Sequence, residues 1–292
     1  MKKIISLVLV LLLAVSMFAV SSCKKKGEYV ALDAQDLLQE DFGVAIKKGD
    51  TAMKNAVDEV INEWVANGKM EEYINYYTDL ADYEAGAKSS APDASGIKTS
   101  WNFGNGGVIT VYTESGFAPF EFLSGNDIIG VDIAIMSEVA ERLGKSIDVK
   151  DVAFDTIPTC VQTASGDAVG AAGLTINDER KEVVDFSAVY YSSTLVVVSA
   201  KDKSYTKLAD LAGLKVGVQE GTSGDLIASD ASGANGYTYV NADEEEVTLM
   251  VSIGEISRYK QYSLAFEDLK NGRIDAIVMD KLPALTMLNL IG

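Results

Sequence analysis

Apolar residues recur along this chain with two different periods, and the switching between them outlines a fold. Residues 29–32 and 43–47 read as short strands on either side of a polar stretch over 33–41. Met53, Ala56, Val57, Val60, Ile61 and Trp64 then follow the three-and-four spacing of an amphipathic helix, with Gly68 placed at its C-terminal cap. A second helix is predicted over 70–77. Residues 79–107 change character: Ser89-Ser90-Ala91-Pro92 and the glycines of 102–107 mark a linker, with Trp101 and Phe103 free to fold back onto the body. From Val108 onward strands and helices alternate. Strands are predicted over 108–112, 147–152, 168–172, 195–200, 215–219, 237–240 and 274–279. Helices are predicted over 131–143, 207–211 and 260–270, and after the turn 221–225. This alternation predicts an α/β architecture with mostly parallel sheets.

The first 22 residues stand outside that pattern. Lys2 and Lys3 precede an apolar run over 4–20 that ends in small residues, the layout of a secretory signal peptide. Val20-Ser21-Ser22-Cys23 resembles a bacterial lipobox, which implies cleavage before Cys23 and lipid attachment there. Lys24, Lys25 and Lys26 would then lie against anionic headgroups or serve as a solvated tether. Cys160, the other cysteine, falls among apolar neighbours in a predicted helix and reads as a buried thiol with no disulfide partner. The expected location is therefore extracytoplasmic, anchored to the membrane through Cys23.

Composition narrows the function classes. With 292 residues, 48% of them hydrophobic, the chain is long enough for two lobes. A net charge of −18 repels nucleic acid phosphates and sets that partner aside. The chain has no histidine, which excludes Ser-His-Asp and Cys-His catalytic groups and the usual zinc ligand sets. The acidic run 243–246 shows no metal-loop spacing and reads as a solvated loop. Neither a metal nor a cofactor is expected.

Residues 173–191 carry the most specific chemistry. Gly173 and Thr175 stand at a strand end, Asn177 at a predicted helix N-cap, and Arg180 in the first turn beyond it. Free N–H groups at a helix N-terminus together with a guanidinium suit a carboxylate, although a capped helix with a surface arginine would read the same way. The stretch resembles the signature of the bacterial extracellular solute-binding proteins, family 3, which serve amino-acid ABC importers. The resemblance implies that Arg180 grips a ligand's α-carboxylate. Residues 113–122 are similar to the family's first-strand motif, giving Phe117 a packing role against the ligand and Glu114 an acidic or polar position. Phe154-Asp155 resembles an aromatic–acid pair ahead of the next helix. Residues 214–224 look like the second-lobe loop that helps hold the carboxylate through Gly221, Thr222 and Ser223. Residues 271–280 match the closing motif, whose final acid, Asp280, takes the α-ammonium.

The segments stand in an unusual order. Residues 41–50 and the helices after them resemble the C-terminal part of family members but come first here, and the chain ends soon after Asp280. The resemblance therefore implies a two-lobed, hinged, type II periplasmic-binding-protein fold in circularly permuted form, a broken tandem or frameshifted gene being the alternative. One lobe would combine 42–78 with 108–197. The other would combine 29–34 with 199–292. The tether would be 23–28, the permutation linker 79–107, and the hinge crossings would lie near 33–41 and 195–201. The implied function is a monomeric binding lipoprotein, not an enzyme, that passes a free amino acid to an ABC permease. An orphan or sensory binding lipoprotein, or a dehydratase-like enzyme on the same scaffold, is the alternative.

Overall fold

The computed structural model describes residues 28–34, 36–37, 39–240 and 244–291. The signal peptide, Cys23 and the lysines after it lie outside the described residues, as does Asp243 of the acidic run.

The chain opens with β1 (Tyr29–Asp33), β2 (Gln39–Phe42), β3 (Ala45–Lys47), α1 (Thr51–Ala66) and α2 (Lys69–Glu84). After a long connection come β4 (Val108–Thr113), β5 (Gly116–Phe117), β6 (Glu121–Ser124), β7 (Asp127–Ile129), α3 (Val131–Arg142), β8 (Ser146–Asp151) and α4 (Ile157–Thr163). Next are β9 (Ala168–Gly170), α5 (Asp178–Val183), β10 (Val184–Phe186), β11 (Tyr191–Ala200), β12 (Lys215–Gln219) and α6 (Ser223–Ser232). The last elements are β13 (Tyr237–Val240), β14 (Glu246–Leu249), β15 (Glu255–Tyr259), α7 (Tyr262–Lys270), β16 (Ala276–Asp280) and α8 (Lys281–Ile291).

Two sheets organise these elements. In the first the order is β10-β3-β9-β4-β8. In the second it is β1-β11-β16-β12-β15, with β2 also paired to β11. Both sheets are mixed rather than mostly parallel. β4 runs parallel to β8 and β9, and β12 to β15 and β16, whereas β1, β2, β3, β10 and β11 make antiparallel pairs. The antiparallel strands are those at or beside the passage between sheets, where the chain returns without a helical crossover.

β11 makes that passage. Its first residues pair with β2, from Tyr191 opposite Phe42 to Thr194 opposite Gln39, and residues 195–200 pair with β1 and β16. Residues 195–197, expected in the first lobe, thus stand in the second sheet. β2 was read as part of a polar stretch. Its pattern is a half-buried strand all the same, with Glu40 and Phe42 inward and Gln39 and Asp41 outward.

α1 begins where the Asp50 carboxylate accepts the Met53 N–H at 3.0 Å. Met53, Val57, Val60, Ile61 and Trp64 are buried as the spacing predicts, each contributing about 1.5–3 kcal/mol. α2 runs to Glu84, past the predicted end at 77, because Tyr73, Tyr77 and Ala81 extend its apolar face. The connection that follows is held against the body. Tyr73 Oη bonds the backbone of Lys98, Lys98 Nζ pairs with Glu138 and Glu141, and Trp101 Nε1 donates to Glu138. Phe103 stays exposed. Cys160 is half-exposed rather than buried, because Ile157 and Val161 occupy the inner face of α4.

One buried pair of acids ties this scaffold to the cleft. Asp132, in the first turn of α3, accepts hydrogen bonds from Gly173 N–H and Tyr190 Oη, each at 2.9 Å. Glu121 on β6 lies fully buried beside it. Burial pushes the Asp132 carboxyl up to about 7, and burial together with Asp132 holds Glu121 well above the usual carboxylate range. The folded protein therefore keeps a proton that the unfolded chain gives up near pH 4. Stability is present below that pH and is lost as the pH rises towards 7. Replacing Glu121 by Gln is expected to flatten this slope and raise the urea midpoint at pH 8. An unchanged slope would show that the pair does not share its burial cost.

Candidate functional site

The cleft between the two sheets is built from residues that their local structure presents to it. α5 is capped by Asn177, whose side chain accepts the Arg180 N–H at 2.8 Å. This turn aims the Arg180 guanidinium inward, where Nη1 donates to the Thr175 carbonyl at 2.7 Å and Nη2 to the Gly221 carbonyl at 2.9 Å. The second bond crosses from one lobe to the other. The guanidinium also lies 5.3 Å from the centre of the Phe154 ring. Burial lowers the Arg180 pKa, against the opposing pull of Glu40 and Asp280.

A chain of hydroxyls runs beside the arginine. Ser223, the first residue of α6, donates to Thr175 Oγ1 at 3.1 Å, and Thr175 donates to Glu40 Oε2 at 3.1 Å. Asp280, at the end of β16, accepts from Ser193 Oγ at 2.5 Å. Burial first and Glu40 second push the Asp280 carboxyl up to about 8. Burial likewise raises Glu40, against hydrogen bonds from Ser223 and Thr175 and the charge of Arg180.

Glu114 forms a second polar centre. Gln219 Nε2 reaches Glu114 Oε2 at 2.9 Å and Gln261 Nε2 reaches Oε1 at 2.7 Å, both from the opposite lobe. Burial raises this carboxyl, and the two amides pull it back down. Phe117 stacks on Tyr262 with ring centres 6.2 Å apart and packs against Phe42 and Phe120. A cavity of about 540 Å³ lies between α2, α7 and α8, against Gly116, Ala118 and Gln261. Another of about 290 Å³ lies beside Arg180, Phe154 and Gly221. Outside the cleft floor, Lys260 bridges Glu220 at 2.7 Å and Asp155 of the other lobe at 3.3 Å.

The structure thus gathers Phe154, Thr175, Arg180, Gly221, Ser223 and Asp280 in one region of the cleft, with Phe117 stacked on Tyr262 and Glu114 held by Gln219 and Gln261. Gly173 lies beneath them at φ 54°, where an added Cβ would stand 2.7 Å from the Phe117 ring. The Thr222 hydroxyl is engaged within its own lobe, where it also accepts from Tyr262 Oη at 3.3 Å. It caps α6 by accepting the Asp225 N–H and donates to the Gln219 carbonyl at 2.8 Å. Sequence reasoning missed Glu40, Ser193, Gln219, Gln261 and Tyr262. Only Glu40 left a trace, in its parity with Phe42 along β2. Among the described residues no group of three or more His, Cys, Asp or Glu side chains could hold a metal. No described helix is long and apolar enough to cross a membrane.

The profile of the bacterial extracellular solute-binding proteins, family 3, matches residues 109–277, more than half of the chain. The chain belongs to this family. The arginine-binding extracellular protein ArtP of Bacillus subtilis is 30% identical over 172 residues, 59% of this chain and 60% of that protein. A probable histidine-binding protein of Neisseria gonorrhoeae is 30% identical over 177 residues, 60% of this chain and 59% of that protein. The chain thus spans about 60% of the length of the curated relatives it matches. Among solved structures, the arginine-bound truncated ArgBP of T. maritima is 32% identical with a TM-score of 0.52, covering 62% of this chain and 77% of that one. The fold is the two-lobed type II fold of amino-acid-binding periplasmic proteins.

Closure rests on a tight backbone approach. Gly221 has φ +77°, and a Cβ built on it would lie 2.9 Å from Asp155 Cβ across the cleft. Gly221→Ala is expected to hold the lobes apart and increase the radius of gyration in solution scattering. An unchanged scattering profile would mean that the lobes do not close on this contact.

Proposed function

We propose that this protein captures a free amino acid between its lobes outside the cytoplasm and presents it to the permease of an ABC importer. The observation that carries the reading is the convergence of Arg180, Thr175, Ser223 and Asp280 on one buried end of the cleft. A zwitterion can be buried only if each charge meets a partner. The guanidinium, the two hydroxyls and the backbone N–H groups at the start of α6 suit the α-carboxylate. Asp280 suits the α-ammonium. Phe117 and Phe154 cover the ligand's apolar stem, and Thr222 contributes through its backbone, with its hydroxyl engaged in the cap.

Glu114 points to the side chain. It is a buried carboxylate whose partners are two neutral side-chain amides and the backbone N–H of Gly116, with no cation beside it among the described residues. A cationic side-chain end would complete it, so L-arginine is the first ligand to try.

The same reading takes the chain as a circular permutant and a lipoprotein. β3 sits between β10 and β9 in the first sheet and β1 pairs with β11 in the second, although both precede β4 in sequence. The family match begins only at residue 109. Residues 42–78 with 108–194 would form the first lobe, 29–34 with 195–292 the second, and 85–107 the join between former termini. The crossings would lie near 33–42 and 187–194. Cleavage before Cys23 and lipid attachment there would hold this monomer to the membrane.

Calorimetry on the full chain against the twenty amino acids and cystine tests the reading; a folded protein that binds none of them would sink it. Arg180→Ala is expected to cost about 2–5 kcal/mol of affinity for the amino acid that binds, and unchanged affinity would refute the carboxylate assignment. Glu114→Gln is expected to weaken arginine while leaving glutamine binding within about threefold, a difference of under 1 kcal/mol. Equal loss for both would remove Glu114 from side-chain recognition.

A further inference from the structure

Glu40 is a buried acid that the amino-acid reading leaves without a task. It lies on β2 directly opposite Ser193 of β11, and Asp280 lies opposite Leu195, two residues along the same strand. Facing residues of antiparallel strands, and residues two apart on one strand, project to the same side of a sheet. Both acids therefore emerge on the side where Ser193 stands, and the Ser193 hydroxyl already donates to Asp280. Both are buried. We propose that Glu40 completes the ammonium subsite: Glu40 and Asp280 hold one proton between them in the empty cleft and release it when an amino acid's ammonium enters. This rests on the reading of Asp280 as the ammonium acceptor.

Charge is conserved through the step. The empty pair is one carboxyl and one carboxylate, net −1. The incoming ammonium brings +1 and takes hydrogen-bond acceptors on both acids. The carboxyl O–H bond breaks, its electrons stay on oxygen, and the proton leaves to solvent. Two carboxylates around one ammonium again sum to −1, and the ligand's own carboxylate is left for Arg180.

The groups around the pair set where the proton rests. Glu40 receives the Thr175 hydroxyl and feels Ser223 and Arg180, all of which favour its ionised form. Asp280 has Ser193 and Arg180 in its favour, against its own burial and the charge of Glu40. Tyr191, Tyr237 and Tyr262 face the two acids and stay neutral, their pKa values raised by burial and by one or both of these carboxylates. The proton is held on the Asp280 side because Glu40 has the better donors. Two like charges in one buried site cannot both ionise cheaply. An ammonium between them removes that conflict.

The test begins without ligand. Infrared titration of the full chain should show a carboxyl band that Asp280→Asn deletes, and Glu40→Gln should lower its titration midpoint by about one pH unit or more. A midpoint unmoved by Glu40→Gln would overturn the proposal, because burial alone would then protonate Asp280. With L-arginine as probe, calorimetry at pH 7 in buffers of different ionisation enthalpy should register release of close to one proton. Affinity should strengthen as the pH rises, by about tenfold per unit below pH 8. In Glu40→Gln both the proton release and the pH slope should shrink. Release that persists undiminished in Glu40→Gln would also overturn the proposal. If no amino acid binds, the amino-acid reading fails, while the unliganded titration still decides whether the pair shares a proton.

Discussion

The Arg180 guanidinium is buried between two lobes, and most of the cleft is arranged around keeping it in partners. A buried charge left alone costs several kcal/mol, so each element near it supplies something. α5 is capped so that its first turn points inward, Thr175 and Gly221 turn their carbonyls towards it, and Phe154 offers a ring face. Glu40 and Asp280 provide the opposite charge at longer range. Because one of its carbonyl partners belongs to the other lobe, the arginine is satisfied fully only when the lobes are together. Charge pairing and closure are one constraint.

The remaining cross-cleft bonds follow the same logic at lower stakes. Gln219 and Gln261 reach over to Glu114, Ser223 reaches Thr175, and Lys260 reaches Asp155. Each is worth about 0.5–1.5 kcal/mol net where neutral groups meet, and the exposed Lys260 bridge contributes less than a buried pair would. Such a set is strong enough to define a closed arrangement and weak enough for a ligand to take its donors over. A ligand can shift the balance only by interacting better with one arrangement than with the other. The polar groups that meet across the cleft are the same ones that would be asked to change partners.

Much depends on two short stretches of strand. β2 and the start of β11 pair antiparallel at the passage between lobes, and they also carry Glu40 and Ser193 into the cleft. Residues that pair where the chain passes between the sheets therefore also reach the cleft. Asp132 makes a comparable link on the first lobe. Its carboxyl holds Gly173 N–H directly under Phe117, and it belongs to a buried acid pair that a simple apolar core would not contain.

Much of this was legible in the sequence. The helix over 51–66 and the strands β4, β8, β9, β11, β12 and β16 were readable because each leaves a period in the sequence, whereas the short β10 and the partly exposed β15 were not; Thr175, Arg180, Ser223 and Asp280 were picked out by the family resemblance. The residues that were missed leave no such mark. Gln219, Gln261 and Tyr262 look like ordinary surface or core positions until the opposite lobe brings Glu114 and Phe117 to them, and Glu40 looks like one acid in a polar run. Parallel pairing was overestimated because periodicity marks a strand but not its direction, and direction is set by how the chain returns between lobes. Sequence alone determined most of the longer elements and the α/β class, since those depend on neighbours a few residues away. Only the tertiary structure decided which acids share a burial site, which amides cross the cleft, and how β2 pairs with β11, because those depend on long-range contacts and desolvation that no local pattern encodes.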